Sequence, residues 1–410
     1  MDPGEIPQGV DPVPCTPCVD DKRLRYSAMS SVPVLKVLDD DNLLIEVLVR
    51  VGFPTTLVRA ALVCKRWFHH ASDRAFIRRF RKLHPPRLLG FYHDSESWMD
   101  PPPFVPMVPQ HPELASVIRR IARYHFGVHD AIRIKNCRNG NIFTTLYNYQ
   151  APFSMKMHSP LCPGRGKTFI PLPHSHVCNP FSHDNKILSR EDGDGGFSHF
   201  YVFMKSDMMT TVFTVHVYKL QDGAWCKHTS VTTKLTGRPR WELKAVVVDN
   251  KIYLVADPRD IIVLDMMNSG FSRIQLPQGV EHDSPEIGLS RADDASDVYL
   301  IDAKELQLHI WLHKGGNWLS VNTICLRMLD HTLEEKHSAH VKISVLGDNA
   351  EFVLLKMGRC TFYLDIKSRI LHKVHERTGG SWLPIYFYPF MMIWPPTFPT
   401  LKDDLARNAT

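Results

Sequence analysis

The chain has 410 residues, enough for two or three domains, and its 44% hydrophobic and 22% charged residues are ordinary for a globular protein. Its formal net charge of +6 is too small for this length to indicate nucleic-acid binding. No segment approaches the roughly 18 consecutive apolar residues of a membrane span, and we expect no signal peptide. Nine scattered cysteines favour reduced thiols, and therefore a cytoplasmic or nuclear protein.

Both ends of the chain are predicted to be flexible. Residues 1–33 are rich in proline and poor in large apolar groups, which is typical of a disordered leader. Cys15 and Cys18 have the spacing of a metal-binding pair, but no second pair of ligands follows nearby, so we interpret them as incidental thiols. Residues 401–410 are expected to form a flexible C-terminal tail.

Residues 37–82 have the pattern of a small all-α module. Its first helix is expected to follow Asp39, Asp40 or Asp41, whose short side chains can cap an N-terminus. One apolar stripe contains Leu43, Leu44, Val47, Leu48 and Val51, and the nearly opposite side contains Ile45 and Val49. A helix with two apolar faces needs two burial partners. The second partner is either the rest of this chain or another protein, and the periodicity favours neither.

Further helices complete the predicted module. Gly52-Phe53-Pro54 interrupts the first helix, and Thr55 or Thr56 can cap the second. Asp73, or the serine before it, can cap a last helix over residues 74–82. A module of about 45 residues is marginally stable alone, so we expect it to dock onto something larger.

From about residue 84 to 400 the pattern changes to short β-type runs separated by turn residues. Clear runs lie at 199–205, 211–220, 245–249, 251–257, 260–265, 297–302, 352–356 and 361–366. Asp249-Asn250 stands between two of these runs like a hairpin turn. Residues 111–126 are an exception, because their apolar spacing indicates a short helix or an insertion. This part of the chain is therefore predicted to be mostly all-β.

The β-rich region repeats with a period of about 50 residues. The apolar cores FYVF, KIYLV, VYLI and FVLL begin at residues 200, 251, 298 and 352. Asp222-Gly223 and Gly315-Gly316 each precede a tryptophan, and an apolar-Leu-Asp sequence recurs at 263–265 and 363–365. Such repeats of four short strands are typical of β-propeller blades, which bury their faces against neighbouring blades. The span fits about six blades, with five or seven as alternatives, and a pair of β-sandwiches is the competing fold.

The sequence VLDDDNLLIEVLVRVGFPTTLVRAALVCKRWFHHASDRAF at 37–76 resembles the F-box motif. The matching positions are Leu38, Leu43, Leu44, Glu46, Val47, Leu48, Val51, Leu57, Arg59, Ala60, Val63, Cys64, Lys65 and Trp67. The V-C-K-x-W run at 63–67 is the most specific part of this match. One departure is Asp39, because the family usually has a proline there that shapes the first helix and contacts the linker subunit. The resemblance therefore leaves the strength of linker binding open.

The region from about 84 to 400 resembles the propeller-type domain attached to the large F-box families of grasses. The stretches that carry this resemblance are VYKLQDGAW (217–225), LQLHIWLHKGGNWLSVNTICL (306–326), NAEFVLLKMG (349–358) and YPFMMIWPPTFP (388–399). Together the two resemblances imply an N-terminal all-α F-box module followed by a mostly all-β, propeller-like domain.

F-box proteins are substrate receptors of cullin–RING ubiquitin ligases, so the resemblance implies a non-catalytic adaptor that needs no cofactor or metal. The F-box would bind a Skp-type linker subunit and, through it, a cullin, while the propeller would hold an unknown protein substrate. This interpretation also explains Ile45 and Val49 as a face covered by the partner. Residues implied in linker binding, directly or by shaping the surface, are Leu38, Asp39, Leu43, Leu44, Ile45, Leu48, Val51, Leu57, Val63, Lys65 and Trp67. The mechanism would be proximity between the substrate and the ubiquitin-conjugating enzyme.

Three other patterns suggest sites but are incomplete. Residues 164–168 resemble the end of a phosphate-binding loop, but Leu161 stands where the pattern needs glycine. The basic stretch 78–87 has too little charge for a nucleic-acid patch and fits a solvated helix face. The densest group of metal-capable side chains is His174, His176, Cys178 and His183. Prolines among them favour a loop, and no further ligand pair completes a recognisable site.

Two alternatives to a ligase receptor remain open from the sequence. The module could bind the linker subunit outside any cullin ligase, as a regulatory scaffold. The propeller could instead be a hydrolase, which would require convergent carboxylates or a metal at one end of its axis. Residues that bind the substrate are not assigned, because propeller specificity lies in variable loops.

Overall fold

The computed structural model describes residues 38–84, 87–94, 100–109, 111–127, 131–147, 154–162, 167–173, 185–192, 196–206, 211–234, 243–255, 260–280, 287–292, 297–329, 341–377, 385–393, 396 and 398. The chain divides into two compact units. One contains Met1–Pro85 with Pro396–Thr410, and the other contains Pro86–Pro395. The predicted leader with Cys15 and Cys18 and the predicted C-terminal tail lie outside the described residues.

The first unit is helical, as predicted. Its described helices include α1 (Asp41–Val49), α2 (Pro54–Ala61), α3 (Lys65–Ser72) and α4 (Arg74–Leu83). Asp40 caps α1, because its carboxylate accepts hydrogen bonds from the N–H groups of Asn42 and Leu43 at 2.8 and 3.1 Å. Asp73 caps α4 in the same way. Each of these aspartates is one of the capping residues that the sequence predicted.

The start of α2 differs from the prediction. We expected Thr55 or Thr56 to cap this helix, but Phe53 is the N-cap residue and Pro54 is the first helical residue. Proline suits this position because its fixed φ angle matches the helix and its missing N–H group would have no helical partner there. Both threonines therefore lie inside the first turn of α2.

The face of α1 that packs inside the unit was predicted correctly only in part. Leu44, Leu48 and Val49 are buried, and Ile45 is half-buried. Leu43 and the neighbouring valine one turn later lie on the outer face instead. Apolar residues occupy almost the whole circumference of α1, so their spacing alone does not select the inner face. Val49 therefore needs no burial partner from another protein.

Within the described residues, the second unit is a six-bladed β-propeller, which confirms the predicted fold. Each of five blades is a four-stranded sheet made from consecutive strands. Blade 1 contains β3 (Ala131–Arg138), β4 (Asn141–Tyr147), β5 (Ser154–His158) and β6 (Lys167–Pro171). Blade 2 contains β7 (Asn185–Glu191), β8 (Phe197–Ser206), β9 (Val212–Gln221) and β10 (Ala224–Lys234). Blade 3 contains β11 (Lys244–Val248), β12 (Lys251–Val255), β13 (Asp260–Asp265) and β14 (Gly270–Gln275).

The remaining blades complete the ring. Blade 4 contains β15 (Ile287–Arg291), β16 (Val298–Lys304), β17 (Gln307–Lys314) and β18 (Asn317–Cys325). Blade 5 contains β19 (Val341–Leu346), β20 (Phe352–Met357), β21 (Cys360–Asp365) and β22 (Ile370–Glu376). Blade 6 contains β1 (Leu88–His93), β2 (Phe104–Pro106) and β23 (Phe387–Met391), in the spatial order β2-β1-β23. Because β1 and β23 come from opposite ends of the unit, their antiparallel pairing closes the ring.

Six inner strands surround the centre of the propeller. They are β3, β7, β11, β15, β19 and β23, and each lies next to the following one around the ring. Each begins its four-stranded blade, except β23, which is the inner strand of the closing blade. The inner strands run in the same direction, so their N-terminal ends meet at one end of the channel and their C-terminal ends at the other.

The sequence repeat reflects equivalent positions in successive blades. The four apolar cores that revealed the period lie in the second strands of blades 2 to 5. Asp222-Gly223 and Gly315-Gly316 each join a third strand to a fourth, and both residues of each turn have the positive φ angles that such hairpins require. Asp265 and Asp365 end third strands, and their carboxylates accept backbone hydrogen bonds in the following turn. The repeat therefore identified a propeller correctly, and the sandwich alternative is wrong.

Buried apolar clusters join neighbouring blades. Trp225 of blade 2 packs in one cluster with Phe143 and Ile170 of blade 1. Trp318 of blade 4 donates its indole N–H to the carbonyl oxygen of Gln275 in blade 3 at 2.8 Å. These two tryptophans therefore hold blade 2 against blade 1 and blade 4 against blade 3.

A helix covers the closing blade where the sequence predicted a helix or an insertion. A 3₁₀ turn at Pro112–Leu114 leads into α5 (Ala115–Ala122), whose Ile118 and Ile121 are buried. The hydroxyl of Tyr92 in β1 donates a hydrogen bond to the carbonyl oxygen of Ile121 at 3.2 Å. This part of the chain is therefore packed on blade 6.

Candidate functional site

The helical unit carries exposed apolar side chains that we call the docking surface. Leu43 and Val47 of α1 are each 45% exposed, and Leu62 and Val63, between α2 and α3, are 58% and 65% exposed. Large apolar side chains that are exposed in a group are typical of an interaction surface. The docking surface is therefore the candidate binding site of this unit.

An arginine connects α3 to the start of α1. The guanidinium of Arg66 in α3 donates hydrogen bonds to the Asp41 carboxylate at 2.7 Å and to the carbonyl oxygens of residues 38 and 39, each at 2.6 Å. Leu43 lies two residues after Asp41, and Val63 lies three residues before Arg66. The N-terminal ends of α1 and α3 are therefore held together.

Exposed ion pairs orient the helices around this surface. The hydrogen bonds from Arg66 and then from His70 lower the pKa of Asp41. Glu46 of α1 accepts from Arg79 of α4 and from Arg50, and these bonds lower the pKa of Glu46. Such exposed pairs contribute little stability, so their main effect is to fix the side-chain geometry of α1.

The structure separates the predicted linker-binding residues into three groups. The buried ones are Leu44, Leu48 and Leu57, which shape the surface from inside. The half-buried ones are Leu38, Ile45, Val51 and Trp67. The exposed ones are Asp39, Leu43, Val63 and Lys65. Val47 and Leu62 are exposed as well, but the predicted set left both out, although it included Leu43 and Val51 of the same stripe as Val47.

The propeller has a second candidate site, a cavity of about 280 Å³ at the centre of its ring. Residues of all six inner strands, or of the segments next to them, line this cavity. The charged lining residues are the cations Arg133, Lys135, Arg138, Lys186 and Arg291 and the acids Asp94 and Asp348. The described lining therefore has an excess of positive charge.

At the C-terminal ends of the inner strands, ion pairs cross the channel. Asp348, just after β19, accepts hydrogen bonds from Arg138 of blade 1 and from Arg291 of blade 4, the latter at 2.8 Å. Arg291 also lies 3.9 Å from the Glu191 carboxylate of blade 2. Burial alone would raise the pKa of Asp348, but the two arginines lower it to about 2. These groups therefore connect four blades at this end of the channel.

A different cluster lies at the N-terminal ends of the inner strands. Asp94 follows β1 and is only 9% exposed. Burial raises the pKa of Asp94 to about 6, while Arg133, Lys135 and Lys356 act in the opposite direction. The ammonium group of Lys356 donates to the Ile385 carbonyl and lies 5.3 Å from the ring centre of Tyr386. Among the side chains that the structure describes at this end, cations therefore outnumber acids.

Little in the sequence predicted the cavity. Asp94, Arg133 and Lys186 are far apart in the chain and come together only when the ring closes. The one local signal is the charged pair in AIRIKNCR, where Arg133 and Lys135 interrupt a β-type run. Cavity residues of a propeller depend on ring closure, which residue spacing does not show.

The incomplete patterns from the sequence yield no further site. Lys167 and Thr168 belong to strand β6, and the Lys167 ammonium donates to the Phe126 carbonyl at 3.1 Å. The rest of the phosphate-loop pattern and the histidines at 174–183 lie outside the described residues. On α4, the basic residues surround the buried Phe76 and Phe80, as a solvated face does. Among the described side chains, no group of three or more His, Cys, Asp or Glu could hold a metal ion. No helix in the described ranges could span a membrane.

Solved structures resemble this chain only at low identity. A Bacteroides thetaiotaomicron protein of unknown function is 11% identical, with a TM-score of 0.35, and the match covers 65% of this chain and 61% of that one. A periplasmic gluconolactonase from Pseudomonas aeruginosa is 12% identical, with a TM-score of 0.37, over 72% and 82% of the two chains. An α-L-arabinofuranosidase from Fusarium graminearum is 10% identical, with a TM-score of 0.33, over 59% and 79%. Likeness at this level carries no argument about activity.

Comparison by sequence is more specific. No curated protein matches this chain significantly. The family model for "F-box protein AT5G49610-like, beta-propeller" matches residues 133–398, which is more than half of the chain. The matched range extends from the first inner strand through the closing strand of the observed ring. The chain therefore belongs to the AT5G49610-like family and is an F-box protein with a C-terminal β-propeller.

Proposed function

We propose that this protein is the substrate-recognition subunit of a cullin–RING ubiquitin ligase. The helical unit would dock onto a Skp-type linker subunit, which connects it to a cullin, and the propeller would hold the protein to be ubiquitinated. The chain itself would be non-catalytic, because the ubiquitin chemistry takes place on other subunits. It would act in the cytoplasm, the nucleus or both.

The docking surface is the observation that carries this proposal. Leu43, Val47, Leu62 and Val63 are exposed large apolar side chains of the described helical unit, as is Leu83 at the end of α4. Leaving these side chains in water has a cost that burial against a partner would remove. An apolar interface core surrounded by fixed charges, as supplied here by Asp41 and Arg66, is typical of specific protein–protein contacts.

The cavity does not favour the hydrolase alternative. A hydrolase that uses paired carboxylates needs both on the reacting bond, at most about 10 Å apart. Within the described lining, Asp94 lies at the N-terminal end of the channel and Asp348 at the C-terminal end. Asp348 is also committed to ion pairs with Arg138 and Arg291. The cavity is therefore better suited to binding than to acid–base chemistry.

The test is affinity purification of the tagged full-length protein from cells, followed by detection of the Skp-type subunit and the cullin. Recovery of both supports a ligase receptor. Recovery of the Skp-type subunit without the cullin supports a scaffold outside the ligase, in which the exposed Asp39 replaces the usual proline. Recovery of neither contradicts both roles.

A further inference from the structure

We propose that helix α3 carries an interaction surface in addition to the docking surface, and that its partner is the C-terminal end of the same chain. Two described residues, Pro396 and Phe398, supply this partner, and we call them the strap. The strap stabilises α3 by packing against Phe68. The proposal does not depend on the ligase role, because the contact forms within a single chain.

The chain returns to the helical unit directly after the propeller closes. Just after β23, the N–H group of Met392 donates to the carbonyl oxygen of Arg87 at 2.8 Å. Ile393 packs against the turn after β3, where a side chain in place of Gly140 would collide with it. The second compact unit ends two residues later, and Pro396 belongs to the helical unit. The strap therefore meets α3 as an intramolecular partner, at a high effective concentration.

The contact between the strap and α3 has the geometry of a favourable aromatic pair. The ring centres of Phe68 and Phe398 are 5.8 Å apart and their planes are inclined by 74°, which is an edge-to-face arrangement. Both phenylalanines are half-buried, and Pro396 is buried. The apolar groups of the strap are therefore largely removed from water, which favours the packed state.

Helix α3 has less support of its own than its neighbours. It contains eight residues and buries Ala71, whereas α1 buries three larger apolar residues and α4 buries two phenylalanines. Its N-cap residue, Cys64, makes no side-chain capping bond, although aspartates cap α1 and α4. Helices this short are marginal unless they are packed. The strap, by packing on Phe68 in the middle of α3, therefore adds burial where the helix has little.

Hydrogen exchange of the free full-length protein, followed by mass spectrometry, tests the proposal. Phe398→Ala should make the backbone amides of α3 exchange about fivefold faster, because loss of an aromatic pair shifts the local opening equilibrium by about this factor. Phe398→Leu keeps an apolar side chain without a ring, so its effect should be smaller. Phe169→Ala is the matched control, because it removes a phenyl ring that is 62% exposed on strand β6 of the propeller.

A double-mutant cycle shows whether the effect passes through Phe68. If this contact is responsible, Phe68→Ala combined with Phe398→Ala should exchange no faster than Phe68→Ala alone. Unchanged exchange of α3 in Phe398→Ala, an equal change in Phe169→Ala, or additive effects in the double variant would overturn the proposal. Circular dichroism shows whether each variant is folded, and if Phe68→Ala is not, the Phe398 variants and the control decide.

The measurement is independent of the proposed ligase role, because it uses the protein without any linker subunit. Failure of the full-length protein to bind a Skp-type subunit would contradict the proposed function and leave the exchange result unchanged. Unchanged exchange in Phe398→Ala would overturn the strap and leave the proposed function standing.

Discussion

Replacing Asp348 by asparagine should destabilise the propeller, because this carboxylate joins blades 1, 4 and 5. It accepts hydrogen bonds from Arg138 and Arg291, and these arginines lower its pKa from 3.8 to about 2 although burial acts in the opposite direction. That difference corresponds to about 2 kcal/mol in favour of the charged form in the folded state. The side chain is 31% exposed, so solvent screening reduces the expected loss to about 1–2 kcal/mol.

The direction of this pKa shift determines how the stability contributed by Asp348 depends on pH. The folded-state pKa is lower than the unfolded value, so the contribution of Asp348 is complete at neutral pH. It is lost as the pH falls from about 4 towards 2, where the folded-state carboxylate also becomes protonated. The free-energy difference between wild type and Asp348→Asn should therefore be largest at neutral pH and should shrink on acidification.

Urea unfolding followed by tryptophan fluorescence measures this difference at pH 7 and at pH 2.5. Asp222→Asn is the control, because Asp222 is exposed in a hairpin turn where asparagine is equally suited to the positive φ angle. We expect the control to stay within about 0.5 kcal/mol of wild type. If Asp348→Asn is as stable as the control, or if its loss is the same at both pH values, the ion-pair reasoning is refuted.

Three further predictions concern buried groups of the propeller. Asp94→Asn should raise stability at pH 7.5 by up to about 3 kcal/mol, because burial raises the pKa of Asp94 to about 6 and so makes its charged form unfavourable in the folded state. This penalty shrinks as the pH falls from about 6 towards the unfolded value of 3.8, so urea unfolding should show a gain at pH 5 that is only about half the gain at pH 7.5. Burial lowers the pKa values of His158 and His199 to about 4, so both side chains are neutral in the folded protein at neutral pH. Their contribution to the free energy of unfolding is lost as the pH falls from about 6.5 to about 4. His199→Gln should flatten the unfolding free energy over this range, and an unchanged slope would contradict the prediction. Phe91→Ala should lower the free energy of unfolding by about 3–5 kcal/mol, because the fully buried ring lies in the closing blade and packs against blade 5. A change in melting temperature of less than about 2 °C would show that this contact is not needed.

The sequence predicted the propeller because four second strands share an apolar core with a regular period. It did not identify blade 1, since β4 reads NIFTTLY and its Thr144 and Thr145 break the pattern. Nor did it predict that the sixth blade combines strands from both ends of the unit, because this pairing depends on closure of the ring rather than on local sequence. Blade number was therefore predictable to within one, and the means of closure was not.

The candidate sites were predictable only in part. The capping aspartates Asp40 and Asp73 follow from local hydrogen-bonding chemistry and were identified correctly. The inner face of α1 was not identified correctly, because apolar residues around nearly the whole helix leave its orientation to tertiary packing. Val49 proved to be buried, whereas Val47 is exposed. The charged cavity was missed altogether, since its residues are brought together from separate blades.

The most direct test of the adaptor account is the affinity of the purified full-length protein for a purified Skp-type subunit, measured by calorimetry. A charge placed at the centre of an apolar interface typically costs more than about 2 kcal/mol, so Val47→Asp should weaken binding at least about 30-fold. Ile370→Asp is the matched control, because Ile370 is 49% exposed on the outer strand β22 of the propeller. We predict tight binding by wild type and by Ile370→Asp but not by Val47→Asp. Absence of binding by wild type, or equal affinity of both variants, would contradict the account.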